Sequence, residues 1–192
     1  MSQEKLANML AQLKDISEIM IDLSYSALIC GSEEIADRVM EMEEKIDRLH
    51  IEFELAVLEL GATRPAKGLL GAIRLAMAAE QIADAATVMA NIVKRGLKAH
   101  PVLQMAMQEA EETIVTAEIA DDSVLGGKSL GDLGLEDDIG MRIIAVRREE
   151  EWSYNPKDSF VLAFGDLIIA KGYIEGREKL LSLAHPAFNK NQ

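Results

Sequence analysis

Apolar residues recur along the first half of the chain at alternating spacings of three and four. Leu6, Met9, Leu13, Ile16, Met20, Leu23 and Ala27 form one such row. That spacing puts a stripe along one side of an α-helix and lets it pack as a coiled-coil-like seam. Gly31 stops the row and Ser32 follows as an N-cap. Glu33 and Glu34 then sit in a first turn, where carboxylates complement the helix dipole. A second row comprises Ile35, Val39, Met42, Ile46, Leu49, Phe53, Ala56 and Leu60, and Gly61 ends it. Pro65 suits the start of a third helix, which runs to about Arg95 with Gly96 at its C-terminal cap. A short fourth piece is predicted near Pro101, with Val102, Met105 and Met107. The third helix is apolar on more than one face, so it is either central to a bundle or half of a subunit interface. Long helices joined by short loops pack antiparallel, and residues 1–112 are predicted as such a bundle.

The period changes at Thr113. TIVTAEIA is rich in strand formers, and the stretch after it is dense in Gly and Asp. MRIIAVRR (141–148) reads as a second strand and EEEWSYNPKD as a charged turn. Gly165-Asp166 marks a further turn and Leu167 to Ala170 a buried strand. Ile174 to Ala184 reads as a closing helix, with a loose tail after it. GGKS (126–129) lacks the spacing of a phosphate loop and is read as a turn capping a short helix. The expected fold is therefore all-α followed by α+β: a helical bundle over 1–112 and a small α+β module over 113–192.

Composition narrows the function classes. The chain is 49% hydrophobic, enough for a substantial core, and aromatics are only 4% against 10 methionines, which favours helix packing. The formal charge is -13. So acidic a chain repels nucleic acid and anionic membrane, and neither is expected as a direct partner. Cys30 is the single cysteine, so no internal disulfide can form, which fits a reducing compartment. The N-terminus lacks the apolar core of a signal peptide, and no apolar run approaches the ~20 residues of a membrane helix. A cytoplasmic location without membrane insertion is expected.

Candidate chemistry centres on carboxylates. Glu80 and Asp84 are one helical turn apart and interrupt a row that otherwise holds Ile73, Met77 and Val88. Burying them unpaired would cost several kcal/mol, so a cation, basic side chains or water must serve them. A divalent metal is one chemical match. Glu43 and Asp47 repeat the spacing on the flank of the second helix, with Lys45 and Arg48 nearby to neutralise them. His50, His100 and His185 show no ligand spacing, and Cys30 reads as a helix-end core thiol. Arg147 and Arg148 end a predicted strand and could hold an anionic ligand, or pair with Glu149 to Glu151. No Ser/His/Asp set, nucleotide fingerprint or paired-acid geometry stands out, so no enzyme is expected.

Two resemblances follow from these residues. The order G-K-S-L, I-x-A-V-x-R, P and G-D-x-I-x-x-x-G across most of 113–184 resembles the TrkA-C, or RCK-C, domain of potassium channels and transporters. The helical half, with Glu43-x-x-x-Asp47 and Glu80-x-x-x-Asp84, resembles one three-helix repeat of the PhoU family, whose members bind metal clusters through such motifs. PhoU proteins carry two repeats; this chain has one, so a six-helix arrangement would need a second chain. The resemblance implies a cytoplasmic regulator of cation transport, with potassium the cation. It implies a homodimer that binds a nucleotide or cyclic dinucleotide at the TrkA-C dimer interface and acts on a membrane channel or transporter. The alternative it implies is a metal-binding regulator of phosphate signalling, and a plain interaction scaffold is a third. The nucleotide-binding N-terminal RCK module is absent, so sensing of NAD or ATP through a Rossmann fold is not expected.

Overall fold

The computed structural model describes residues 2–61, 67–97, 102, 105 and 110–186. By contacts the chain divides into two units, Met1–Lys98 and Ala99–Gln192. The sequence boundary at 112/113 lies later, at the start of the first strand.

The first unit is a bundle of α1 (Gln3–Cys30), α2 (Glu33–Gly61) and α3 (Lys67–Lys94), each packed on the other two. The caps explain the boundaries. Ser2 Oγ accepts the Lys5 N–H at 3.2 Å. Gly31 adopts φ +62°, which costs an L-residue but not glycine. Ser32 N–H then donates to the Ala27 carbonyl at 3.0 Å, while Ser32 Oγ accepts from Ile35 N–H at 3.3 Å. At the end of α3, Gly96 N–H donates to Val93 and Leu97 N–H to Ile92, the paired bonds of a Schellman turn. The expected start of α3 at Pro65 lies outside the described residues. So do Pro101 and Met107 of the predicted fourth piece, while Val102 and Met105 are helical.

All seven seam residues of α1 are buried. In α2, Ile35, Val39, Ile46, Phe53, Ala56 and Leu60 are buried, joined by Ala36, His50 and Val57, while Met42 and Leu49 are only half-buried. The third helix packs through its small residues. It buries Ala76, Ala79, Ala83, Ala86 and Ala90, and leaves Leu70, Leu75, Met77, Ile82 and Val88 exposed. A stripe of methyl groups lets α3 sit close against both neighbours, and the large side chains then have nowhere to go but outward. The row around Glu80 and Asp84 therefore lies at the rim of the bundle rather than inside it: Ile73 is half-buried, Met77 and Val88 exposed.

The second unit is one antiparallel sheet, in the order β1-β4-β2-β3, with short helices. Its elements are β1 (Glu112–Glu118), α4 (Leu130–Leu133), α5 (Leu135–Ile139), β2 (Met141–Arg148), β3 (Glu151–Tyr154), β4 (Leu167–Tyr173) and α6 (Ile174–Ala184). The closing helix α6 packs on β1, β2 and β4 and adds Leu180 and Ala184 to a core of Val115, Met141, Ile143, Val146 and Ile168. A bulge at Ile144, where the register jumps from Ile143 to Ala145, shifts the alternation so that Met141, Ile143 and Val146 all meet that core. Strand β3 lies inside the stretch expected to be a charged turn. It is a short edge strand, paired Arg148 with Glu151 and Ala145 with Tyr154, and the Trp152 and Tyr154 rings stack 6.0 Å apart.

Candidate functional site

A groove of about 840 Å³ opens in the second unit between α4–α5, the start of β2 and the loop after β3. Local chemistry fixes its walls. Ser129 caps α4: its Oγ accepts from Asp132 N–H at 3.1 Å and donates to Asp132 Oδ2 at 2.7 Å. Gly134, at φ +53°, ends α4 and starts α5 in one residue. Opposite, Asn155 takes φ +45°, a conformation its short amide side chain tolerates, and its N–H donates to the bulged Ile144 carbonyl at 2.8 Å. Pro156 follows and turns the loop toward α4. Gly131 N–H to the Asp158 carbonyl at 2.8 Å and Leu130 N–H to the Phe160 carbonyl at 2.9 Å stitch loop and helix together. The groove thus has two cations, Arg142 from β2 and Lys157 from the loop, and three acids, Glu136, Asp137 and Asp158. Arg142 is exposed and stands directly opposite Lys171 in the β2–β4 register. Sequence reading missed these residues. The only signal was the N-P-K turn, which marks a loop but not what it faces.

The predicted ligand arginines lie elsewhere. Arg148 Nε and Nη2 donate to the two carboxylate oxygens of Asp166 at 2.8 and 2.7 Å, and Nη2 also donates to the Val161 carbonyl. Asp166 is 1% exposed and accepts the Ala163 N–H as well. The hydrogen-bonded carboxylate holds the Arg148 guanidinium above its ordinary range. Arg148 thus pairs with Asp166 rather than with Glu149 to Glu151, and it locks the turn into β4. Arg147 is half-buried between Trp152 and Leu167 in the sheet register. Neither arginine lines the groove.

The four predicted carboxylates come to the same helix pair. Glu80, on α3, places Oε2 3.0 Å from Nδ1 of His50 on α2, and His50 Nε2 lies 3.7 Å from Glu54. Of the three remedies, the structure gives Glu80 a basic side chain, from a histidine that showed no ligand spacing. Burial, and then the charges of Asp47, Asp84 and Glu44, push the Glu43 carboxyl above its ordinary value. Arg48 reaches toward Glu44, at 3.9 Å, rather than to Glu43 or Asp47. Among the described residues no three His, Cys, Asp or Glu side chains are gathered as a metal ion needs. As placed, Glu43, Asp47, Glu80 and Asp84 make a crowded acidic rim, not a coordination set. Cys30 ends α1 exposed, not in the core.

A three-helix bundle with an acidic rim and a small sheet module holding a polar groove define a two-domain chain. Residues 10–93 match the PhoU domain family and residues 114–185 the TrkA-C domain family. The chain is a PhoU domain followed by a TrkA-C domain. It is 37% identical over 83 residues to the probable potassium channel protein 2 of Methanocaldococcus jannaschii, covering 42% of this chain and 24% of that protein. The chain thus spans about a quarter of the length of that curated relative. Among solved structures it resembles the RCK_C dimer of S. agalactiae BusR in complex with c-di-AMP, at 27% identity and TM-score 0.33, covering 35% of this chain and 92% of that one. BusR with its promoter DNA also matches, at 22% identity and TM-score 0.35, covering 70% and 65%. The KtrA RCK C domain in complex with cyclic diadenosine monophosphate matches at 26% identity and TM-score 0.31, covering 48% and 96%. Among the described residues no helix is long and apolar enough to cross a membrane.

Proposed function

We propose that this chain is a non-enzymatic regulator of potassium transport whose TrkA-C domain takes a small anionic ligand, a nucleotide or cyclic dinucleotide, in the groove flanked by Arg142 and Lys157. The groove carries this reading. Its walls come from three separate stretches of chain, tied by backbone hydrogen bonds, and its two cations suit phosphates while the acids suit sugar hydroxyls or base amino groups. The relative named as a probable potassium channel supports the transport context. The protein acts in the cytoplasm as a homodimer, on a membrane cation channel or transporter and not on nucleic acid. Ligand binding favours one arrangement of the paired domains, and by no more than its differential affinity for the two arrangements.

Calorimetric titration of the full chain with cyclic di-AMP, ATP and NAD tests this. One of the three is expected to bind with a 1:1 or 1:2 ratio to protomers. Arg142→Ala with Lys157→Ala weakens binding at least tenfold, about 1.4 kcal/mol, while Arg147→Ala, outside the groove, does not. Absence of binding by all three, or equal binding by the double variant, sinks the reading.

The second reading, a metal-binding regulator of phosphate signalling, has one observation in its favour. The crowding that raises Glu43 is what a bound cation would relieve. The residues as placed do not fit a site, and metal analysis of protein never exposed to chelator decides it. Stoichiometric metal lost in Glu43→Ala/Asp84→Ala would restore this reading.

A further inference from the structure

Two contacts fix how α2 lies against α3. Glu80 Oε2 stands 3.0 Å from His50 Nδ1, and Leu69 Cδ1 lies 3.5 Å from where a Cβ on Gly61 would be. Between these points the two helices run antiparallel for equal lengths of chain. Ile51 and Leu58 turn outward from His50 by about 80–100°, and Leu70 and Met77 outward from Glu80 by about 60–80°. Each pair is one heptad apart, and all four side chains are exposed, Leu58 by 67%. They form the two banks of a shallow valley on the outer side of the α2–α3 seam, with the half-buried Ile73 nearer the seam. Past His50 and Glu80 the same valley turns acidic. Glu43, Asp47 and Asp84 line it there, close enough for the charges of Asp47 and Asp84 to bear on Glu43. Arg48 leans to Glu44 on the crest of α2 instead, and Arg74 of α3 belongs to the apolar end. From Leu58 to Glu43 the valley runs about 22 Å, roughly four helical turns.

Charge decides what can lie in it. Helix α2 carries ten acids against three cations, and such a bank repels an anionic membrane or a nucleic acid. A second copy is no better matched. No described helix of this chain carries more than one cation beyond its acids. Laid along itself, the α2 bank sets acids on acids if parallel, and acids on leucines if antiparallel, both costly. The complement is a helix that is apolar along one half and holds Lys or Arg along the other, with its cations toward Glu43 and Asp84 and away from Arg74. Such a helix buries its apolar residues against both banks. It also brings basic side chains to the crowded carboxylates, which sets its direction in the valley.

We infer that the valley between α2 and α3, from Leu58 and Leu70 to Glu43 and Asp84, docks a helix of a different protein that is apolar along one half and basic along the other. This gives the partner of the transport reading a chemistry and a landing site. It rests on that reading only for the source of the helix, since Lys and Arg gather beside the cytoplasmic ends of membrane spans.

Fluorescence anisotropy with the full chain tests it. The probe is a labelled synthetic helical peptide of about 18 residues, ~27 Å long, with leucines along one face of its first half and lysines along its second. The control peptide has the same residues in scrambled order. The probe is expected to bind at one per protomer at physiological salt, and the scrambled peptide at least tenfold more weakly. Leu58→Glu and Glu43→Gln/Asp84→Asn each weaken the probe at least tenfold. Leu75→Glu, exposed on another face of α3, does not. Circular dichroism is expected to show unchanged helicity in each variant. Equal binding of the scrambled peptide, or loss in the acid variant alone, would mean attraction of charge without a docking surface and would overturn the inference. So would no binding of the probe. A Leu58→Glu chain that sediments as a monomer where the parent is a dimer would give the valley to a second copy and overturn it too. The assay contains no nucleotide, so failure of the groove variants to change ligand binding leaves its result standing, and the reverse holds.

Discussion

Asp166 is the buried acid of the described residues, and its cost is met by one side chain. Arg148 covers it with two charge-assisted bonds. Removing the arginine leaves a carboxylate 1% exposed to water with only the Ala163 N–H to serve it. Arg148→Ala is expected to destabilise the TrkA-C domain by about 2–4 kcal/mol. Urea unfolding followed by the fluorescence of Trp152, the single tryptophan, reads this directly; a change under 1 kcal/mol would mean that water replaces the guanidinium. Glu43 is the opposite case. Its pKa is raised in the folded state, so the folded protein resists its ionisation. Above the raised value the group is charged folded or unfolded and the full penalty applies; the penalty fades as pH falls through the raised value toward the ordinary 4.5. Glu43→Gln should therefore raise Tm at pH 7 by a degree or so, about 1–3 °C. That gain should vanish near pH 4. A gain that persists in acid would point to packing, not charge.

At the scale of elements, the helix seams were legible because their periods are set by burial of large apolar residues, and α1, β2 and α6 follow them closely. Capping made the ends legible too, through Gly31, Ser32 and Gly96. The third helix was not legible in the same way. Hydropathy cannot tell an alanine that is buried from a leucine that is exposed, and here close approach of backbones reversed the usual order. Strand β3 was hidden because an edge strand with one solvated side has little apolar alternation to show. The order of glycines and polar residues in 113–184 was legible as a motif, but its reason was not. Arg148 and Asp166 belong to that order because they pair. Gly172 belongs to it because a Cβ there would overlap the Gly140 carbonyl, and outside the order Gly176 on α6 holds a like position against the Ile139 carbonyl. Both glycines let β4 and α6 close on the end of α5. Gly176→Ala is expected to cost more than 2 kcal/mol by forcing them apart, whereas Gly127→Ala meets open space and pays mainly for its φ of +78°. Equal losses at the two sites, measured by the same unfolding, would remove close packing as the cause.

For the whole molecule, the question is how a ligand in one domain changes what the protein does. The groove is built by three stretches within residues 130–159 that only folding holds together, so in the unfolded chain it does not exist, and a ligand that binds it must stabilise the folded TrkA-C domain. At a hundredfold excess over Kd this amounts to about 2.7 kcal/mol. The expected outcome is a ligand-dependent rise in the urea midpoint reported by Trp152, clearly reduced in Arg142→Ala/Lys157→Ala at the same ligand concentration. The size of that rise says only that the ligand binds the folded state. Regulation needs more: a second measurement in which the same ligand, at the same saturation, shifts the monomer–dimer equilibrium of the chain. A ligand that stabilises the domain but leaves dimerisation unchanged has equal affinity for both states and shifts nothing. One that changes the dimerisation constant must, by reciprocity, bind monomer and dimer with affinities that differ accordingly. Agreement of the two measurements would establish that the groove and the dimer contact report on one equilibrium, and disagreement would separate them.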